Sequence, residues 1–210
     1  MQNSNLWLGL VGLGLVAILG GMVWFAQNQE DGTQITEVET KNSGHILGNP
    51  EATFTLIEYS DFQCPACATI EPFLQQLITT EDVKIIYRHF PLRSIHANAL
   101  MAAQASEAAA LQGKFAPMHQ ALFNSQKSWS NLSDPIDYFV ILAGNIELDV
   151  ERFKIDLVSN EVRQAVLDSE KIAKALQLSG TPTLFMNGRS IPNPRNYEEL
   201  LKAVNNAKTN

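Results

Sequence analysis

The chain has 210 residues, 45% of them hydrophobic and 18% charged, with 22 acidic against 15 basic side chains and a formal net charge of -7. That acid excess, with no basic run to track a phosphate backbone, argues against a nucleic-acid partner. Once an apolar N-terminal stretch and the polar segment after it are set aside, roughly 160 residues remain, enough for one domain with a sizeable core.

Residues 1–5 form a short N-terminal tail. Leu6 to Ala26 are uncharged and mostly apolar, a length that matches a bilayer core of about 30 Å at 1.5 Å rise per residue. A cleaved signal peptide would show a basic start and a small-x-small cleavage site. Here Met1 to Asn5 carries no Lys or Arg, and Trp24 stands where a small residue is needed. The stretch 6–26 therefore reads as an uncleaved, single-pass membrane anchor, with Trp7 and Trp24 at interfacial positions. Neither flank has a basic residue before Lys41, so flanking charge does not code the orientation. Residues 27–47 read as a polar tether, with Glu30, Asp31, Glu37 and Glu39 and little periodicity.

The domain proper is expected over 48–205, with 206–210 as a C-terminal tail. Ala52 to Tyr59 is rich in β-branched and aromatic residues and reads as a buried strand, with Glu58 anomalous near its end. A helix follows through about Ile78, its apolar positions Ile70, Phe73, Leu74, Leu77 and Ile78 at helical spacing, with a kink expected at Pro72. Val83 to Phe90 reads as a second strand ended by Pro91. Strand, helix, strand predicts a parallel unit.

A helical insertion follows at about 95–178. It comprises an alanine-rich run from Ala97 to Leu111, a segment from Phe115 to Phe123, a start at Asp134-Pro135, and helices over Asp149–Leu157 and Asn160–Leu178. Thr183 to Met186 reads as a short strand, Asn187-Gly188 as a hairpin turn and Tyr197 to Asn205 as an amphipathic helix. A sheet core with a helical insertion is the simplest packing of that order.

Cys64-Pro65-Ala66-Cys67 holds the chain's two cysteines. So short a loop makes a poor staple, because closing it removes little chain entropy. Such a pair is also half of a zinc site, but His45, His89, His96 and His119 are scattered without the short spacing that would complete one. Thiol-disulfide chemistry is the leading reading. Cys64 opens the helix, where unpaired N–H groups and the helix dipole lower a thiol's pKa. Pro65 at the first helical position costs no hydrogen bond. Cys67, one turn on, is placed to attack a mixed disulfide formed at Cys64.

The motifs Glu58-Tyr-Ser-Asp-Phe-Gln-Cys-Pro-Ala-Cys67, His89-Phe-Pro-Leu92, His96-Ala-Asn-Ala99 and Gly180-Thr-Pro-Thr-Leu-Phe-Met-Asn-Gly188 resemble, as a set, the DsbA-like thiol-disulfide oxidoreductases. The resemblance covers about Gly48 to Ala203 and implies an α/β thioredoxin-like fold with a helical insertion, here preceded by a transmembrane helix. It implies a cis peptide at Thr181-Pro182 facing the cysteines, with the Thr181 backbone pairing to a bound substrate chain. It implies no metal and no cofactor beyond a redox-active Cys64-Cys67 disulfide. Glu58 matches the family's buried acid, and a carboxylate under an apolar helix could exchange a proton with Cys67. An exposed strand end or a lysine partner is the alternative for Glu58. His89 and His96 match family positions outside the motif and read as structural.

One position departs. The family's strong oxidants carry His where this chain has Ala66, and a less stabilised thiolate would make a less oxidising disulfide. The leading function is oxidation of cysteine pairs in extracytoplasmic client proteins, with a quinone-linked thiol oxidase of the same membrane as reoxidant. The catalytic domain would then face the extracytoplasmic side of a cytoplasmic membrane, where disulfides persist. A disulfide reductase or isomerase on the same fold is the first alternative. A peptide-binding or holdase module that needs neither thiol is the alternative of another class.

Overall fold

The computed structural model describes residues 44–209. The expected anchor at 6–26 and most of the expected tether lie outside the described residues. Among the described residues, no helix is long and apolar enough to cross a membrane.

Strand β2 (Phe54–Ser60) is the hub. It pairs in parallel with β3 (Val83–His89), antiparallel with β4 (Thr183–Met186), and β4 pairs antiparallel with β5 (Arg189–Ile191). The remaining strand, β1 (His45–Gly48), pairs antiparallel with β3, giving the order β1-β3-β2-β4-β5. Two parallel neighbours need a crossover, supplied by helix α1 (Pro65–Thr80), which runs on through Pro72. Because strand residues alternate faces, Leu56, Glu58 and Ser60 share the side of α1. Ile57 and Tyr59 point the other way, into a small second core with Phe90, Ala173 and Phe185.

Between β3 and β4 stand the insertion helices α2 (Ala99–Ala110), α3 (Phe115–Asn124), α4 (Gln126–Trp129), α5 (Ile136–Asn145), α6 (Val150–Leu157) and α7 (Asn160–Ala175). Helix α2 packs against α3, α5, α6 and α7. Its alanines explain that position, because small side chains of high helix propensity permit close approach on several sides. Ala99, Ala102, Ala103, Ala105, Ala108 and Ala109 are all buried. Asp149 and Ser159 cap α6 and α7, accepting from the N–H groups of Arg152 and Val162. The main core spans this block, α1 and the sheet face that carries Glu58.

Two boundaries differ from the sequence reading. The tether was expected to end at residue 47, yet 45–47 belong to β1. Gly44 and Gly48 mark its ends with φ of 113° and 83°, and a Cβ on either would sit 2.6 Å from a β3 carbonyl. This strand has one buried apolar side chain, Leu47, too few for periodicity to reveal; its partner β3 makes it a strand. Of the C-terminal tail expected at 206–210, residues 206–209 are instead the last turn of α8 (Tyr197–Thr209). That turn is fastened by Asn187 Nδ2 donating to the Ala207 carbonyl at 2.6 Å and by Lys208 Nζ on Glu81 at 3.1 Å.

Candidate active site

Cys64 occupies the N-cap of α1 with extended backbone (φ -72°, ψ 121°) and Pro65 follows inside the first turn. Its N–H is spent on the Asp61 carbonyl at 3.0 Å, and its own carbonyl takes the Ala68 N–H. The Cys64 thiol lies 3.5 Å from the Thr181 carbonyl oxygen, so α1 and the loop before β4 meet at this sulfur. The Thr181-Pro182 bond is cis. Both cysteines are free thiols. Cys64 is 6% exposed and Cys67 fully covered, so an incoming thiol or disulfide meets Cys64 first.

The two thiols are electrostatically unlike. A hydrogen bond from the Cys67 thiol, helped by Thr181 and by the N–H groups of Cys67 and Ala66, lowers the Cys64 pKa to about 5 against the opposing effect of burial. Burial first, then the neighbouring Cys64, pushes the Cys67 thiol well above its usual range. One sulfur is a thiolate at neutral pH and the other holds its proton, the division of labour that exchange through a mixed disulfide requires.

Glu58 sits in mid-β2, opposite Tyr87 of β3 and Leu184 of β4, with no exposed surface. The exposed strand end is therefore not its setting. Burial raises its pKa to about 7, with the nearby Ser60 hydroxyl pulling slightly back. Neither carboxyl oxygen has a hydrogen-bond partner. Its charge contributes to the upward shift of Cys67.

Beside Pro182 runs a groove of about 340 Å³ lined by Ser179, Gly180, Thr181, Pro182, Ile191 and Asn193. Asn193 Nδ2 donates to the Pro182 carbonyl at 2.9 Å and Thr183 Oγ1 to the Gly180 carbonyl at 2.7 Å. These bonds give the groove a fixed wall.

Sequence reasoning missed the brace under the cysteine loop. Asp61 is 2% exposed; its Oδ1 accepts the Gln63 N–H at 2.7 Å, and its Oδ2 accepts the Leu92 N–H at 2.9 Å and faces His96 Nδ1 at 2.7 Å. Gln63 Nε2 donates to the Ser130 carbonyl at 2.7 Å, and its Oε1 accepts the Asn98 N–H at 2.7 Å. Gln126 Nε2 donates to the carbonyls of Phe62 at 2.7 Å and Cys64 at 3.0 Å. Asp61, Gln63, His96 and Asn98 lie within the recognised motifs, so a signal for them existed. Gln126 is a polar residue in a helical block and carried none.

His89 and His45 each place Nε2 on Glu107 Oε1, at 2.9 and 2.8 Å. Burial would raise the Glu107 pKa, yet these bonds hold it well below the usual carboxylate range. The fold thus joins two of the four scattered histidines to a glutamate, tying β1 and β3 to α2, but among the described residues no group of metal-competent side chains includes a cysteine.

A family model described as thioredoxin matches residues 40–206. A thioredoxin-like oxidoreductase from Silicibacter pomeroyi DSS-3 superposes with a TM-score of 0.68 at 27% identity, covering 81% of this chain and 95% of that one. BdbD from Bacillus subtilis superposes at 0.70 with 23% identity, covering 80% and 94%. The thiol-disulfide exchange protein alpha-DsbA2 from Wolbachia pipientis superposes at 0.67 with 22% identity, covering 78% and 86%. Among curated proteins, the Na(+)/H(+) antiporter NhaA 1 of Mycolicibacterium gilvum is 34% identical over 187 residues, 86% of this chain but 29% of the antiporter. NhaA 3 of Salinispora tropica is 38% identical over 164 residues, 78% and 24%. The chain spans less than a third of the length of these curated relatives. On the family match over residues 40–206, the chain belongs to the thioredoxin family.

Proposed function

We propose that the protein oxidises cysteine pairs of client proteins. A client thiolate attacks Cys64 Sγ of the Cys64-Cys67 disulfide; the bond to Cys67 breaks and Cys67 leaves with the electron pair, then takes up a proton. The second client thiol gives its proton to solvent and, as the thiolate, attacks the client sulfur of the mixed disulfide, forming the client disulfide and releasing Cys64 as a thiolate. Two electrons pass from client to protein, and the cysteine pair is the whole redox group. Glu58 is the proton partner of Cys67, and Thr181 with Pro182 forms the wall along which the client chain lies.

The observation that carries this direction is the stabilised Cys64 thiolate. Anything that stabilises the reduced form makes the disulfide a stronger oxidant. Ala66 removes a histidine that the sequence comparison leads one to expect, yet its backbone N–H is among the groups that favour the thiolate.

A membrane quinone-linked thiol oxidase would accept the electrons and reset the disulfide. The segment 6–26 would anchor the chain in the cytoplasmic membrane with the catalytic domain on the extracytoplasmic side. Relatives named as Na(+)/H(+) antiporters lend support to work at a membrane. A Cys67→Ser variant expressed with its segment 6–26 should accumulate clients as mixed disulfides on Cys64, releasable by dithiothreitol. Absence of such adducts would remove the oxidase and leave the non-redox binding module.

A further inference from the structure

Among the described residues, two groups of three side chains bring ligand atoms within 4.8 Å of one another. In one, Glu71 of α1 and His119 of α3 bring theirs to Glu58, and all three residues are buried. Burial, then the charge of Glu58, raises the Glu71 pKa to about 9, and a carboxyl that keeps its proton is a poor ligand for a cation. The other group, His45, His89 and Glu107, is built differently.

His45 opens β1, His89 ends β3 and Glu107 stands on α2. Both imidazoles aim Nε2 at the same atom, Glu107 Oε1, at 2.8 and 2.9 Å. Their rings are held in place by aromatic neighbours. His45 stacks on Phe115 with centroids 3.6 Å apart and planes 11° apart, and His89 meets Tyr87 edge-on at 5.3 Å. The side chains of His89, Glu107 and His45 are 3%, 15% and 23% exposed, so the group is closed on the β3 side and open to solvent at His45. Spacing along the chain conceals it, because the imidazoles meet only when β1 pairs with β3 and His45 comes to lie opposite Tyr87.

We propose that His45, His89 and Glu107 form a binding site for a divalent transition-metal ion, with Zn²⁺ as the best fit, that clamps β1 to β3 and α2. Imidazole and carboxylate donors suit Zn²⁺, and three protein ligands with a solvent-side fourth position satisfy its four-coordinate preference. Each ring gives its Nε2 lone pair to the ion and carries its own proton on Nδ1. Ligand atoms about 2.0–2.2 Å from a tetrahedral ion stand roughly 3.3 Å apart, so the two Nε2–Oε1 pairs need to open by only about half an ångström. Ca²⁺ and Mg²⁺, which call for six or more ligands, chiefly oxygens, are poorly served by this set. The clamp acts where the fold is weakly tied: β1 buries one apolar side chain, Leu47, and otherwise depends on its backbone pairing with β3. The inference does not rest on the direction of dithiol exchange.

The test is a Zn²⁺ titration of the detergent-solubilised full chain, its two cysteines first locked in a disulfide so that no thiolate competes. One equivalent should bind. Free Zn²⁺ at about a hundred times the dissociation constant should raise the melting temperature by roughly 5–10 °C, and EDTA should reverse the shift. Co²⁺ in place of Zn²⁺ should show the strong visible absorption of a four-coordinate ion, which an ion held loosely at the surface lacks. His45→Ala removes the most exposed ligand with little demand on folding, and should weaken binding by more than the roughly 10–100-fold that loss of an outer-shell partner costs. Glu107→Gln should do the same, and Glu71→Gln should bind as the parent does. Absence of a saturable equivalent, binding in His45→Ala within about threefold of the parent, or equal weakening in Glu71→Gln each overturns the site.

Discussion

The low pKa of Cys64 owes most to one bond, which makes a clean perturbation possible. Cys67→Ala removes the thiol that donates to the Cys64 thiolate, while Cys67→Ser keeps a donor at the same place. A hydrogen bond to a charged group contributes about 1.5–3 kcal/mol, and one pH unit corresponds to about 1.4 kcal/mol. The Cys64 midpoint, about 5 in the parent, should therefore rise by roughly one to two pH units in Cys67→Ala and by much less in Cys67→Ser. The assay is the rate of Cys64 carboxamidomethylation against pH, with thiolate absorbance near 240 nm as a second readout. Nucleophilicity falls with pKa, so Cys67→Ala should also react several-fold faster than the parent at pH 8, where both thiols are ionised. A Cys67→Ala midpoint within about 0.3 pH unit of the parent would refute the reasoning and shift the credit to the N–H groups and dipole of α1.

Reduced and oxidised protein should diverge in stability with pH. The folded Cys64 pKa is depressed, so its contribution is complete above the unfolded value near 9 and is lost as pH falls through about 5. The melting temperature of the reduced form relative to the oxidised form should thus climb between pH 5 and 9, and a flat difference contradicts the thiolate assignment. Glu71 has the opposite sign: its folded pKa is raised, so its cost grows as pH rises from 4.5 toward 9. Urea melts should show Glu71→Gln gaining stability over wild type at pH 8 and losing that gain toward pH 5; an equal gain at both would contradict the buried, protonated carboxyl. Asp61→Ala strips partners from two N–H groups and His96, and should cost about 2–4 kcal/mol in the same melts. A cost below about 0.5 kcal/mol would show that Asp61 does not brace the loop. Ala102→Leu forces three carbons into the fully buried flank of α2 and should cost about 1–3 kcal/mol; a neutral result would mean that α2 is loosely packed.

Much of the fold was legible because local chemistry and tertiary structure agree. β2 is buried on both faces at the centre of the sheet, and β3 beside it keeps an alternating buried stripe of Val83, Ile85 and Tyr87. The Asn187-Gly188 pair sets the β4–β5 turn with φ of 49° and 76°, as a hairpin turn of two positive φ values demands. α1 begins where Pro65 allows and keeps its apolar stripe. What escaped were elements whose identity comes from their neighbours. β1 is a strand because β3 offers an edge, and the end of α8 is helical because Asn187, Glu81 and Phe54 hold it.

The site divided along the same line. Cys64, Cys67, Thr181 and Pro182 stood in motifs, and Glu58 stood out as a charge in a buried strand. Glu71 lay in plain view four residues after Cys67, but on an amphipathic helix an isolated glutamate reads as solvated until the packing of α3 is known. His119 and Gln126 reach the site only through the way the insertion folds back over α1, and spacing along the chain does not encode that.

The most direct test of the central claim is the reduction potential of the Cys64-Cys67 pair, measured on the full chain equilibrated with defined glutathione ratios and read by alkylation of the two thiols. The stabilised Cys64 thiolate predicts a disulfide toward the DsbA end of the scale, about -120 to -180 mV. A value near thioredoxin's, about -270 mV, would contradict the oxidase and make the protein a reductase with a different membrane partner.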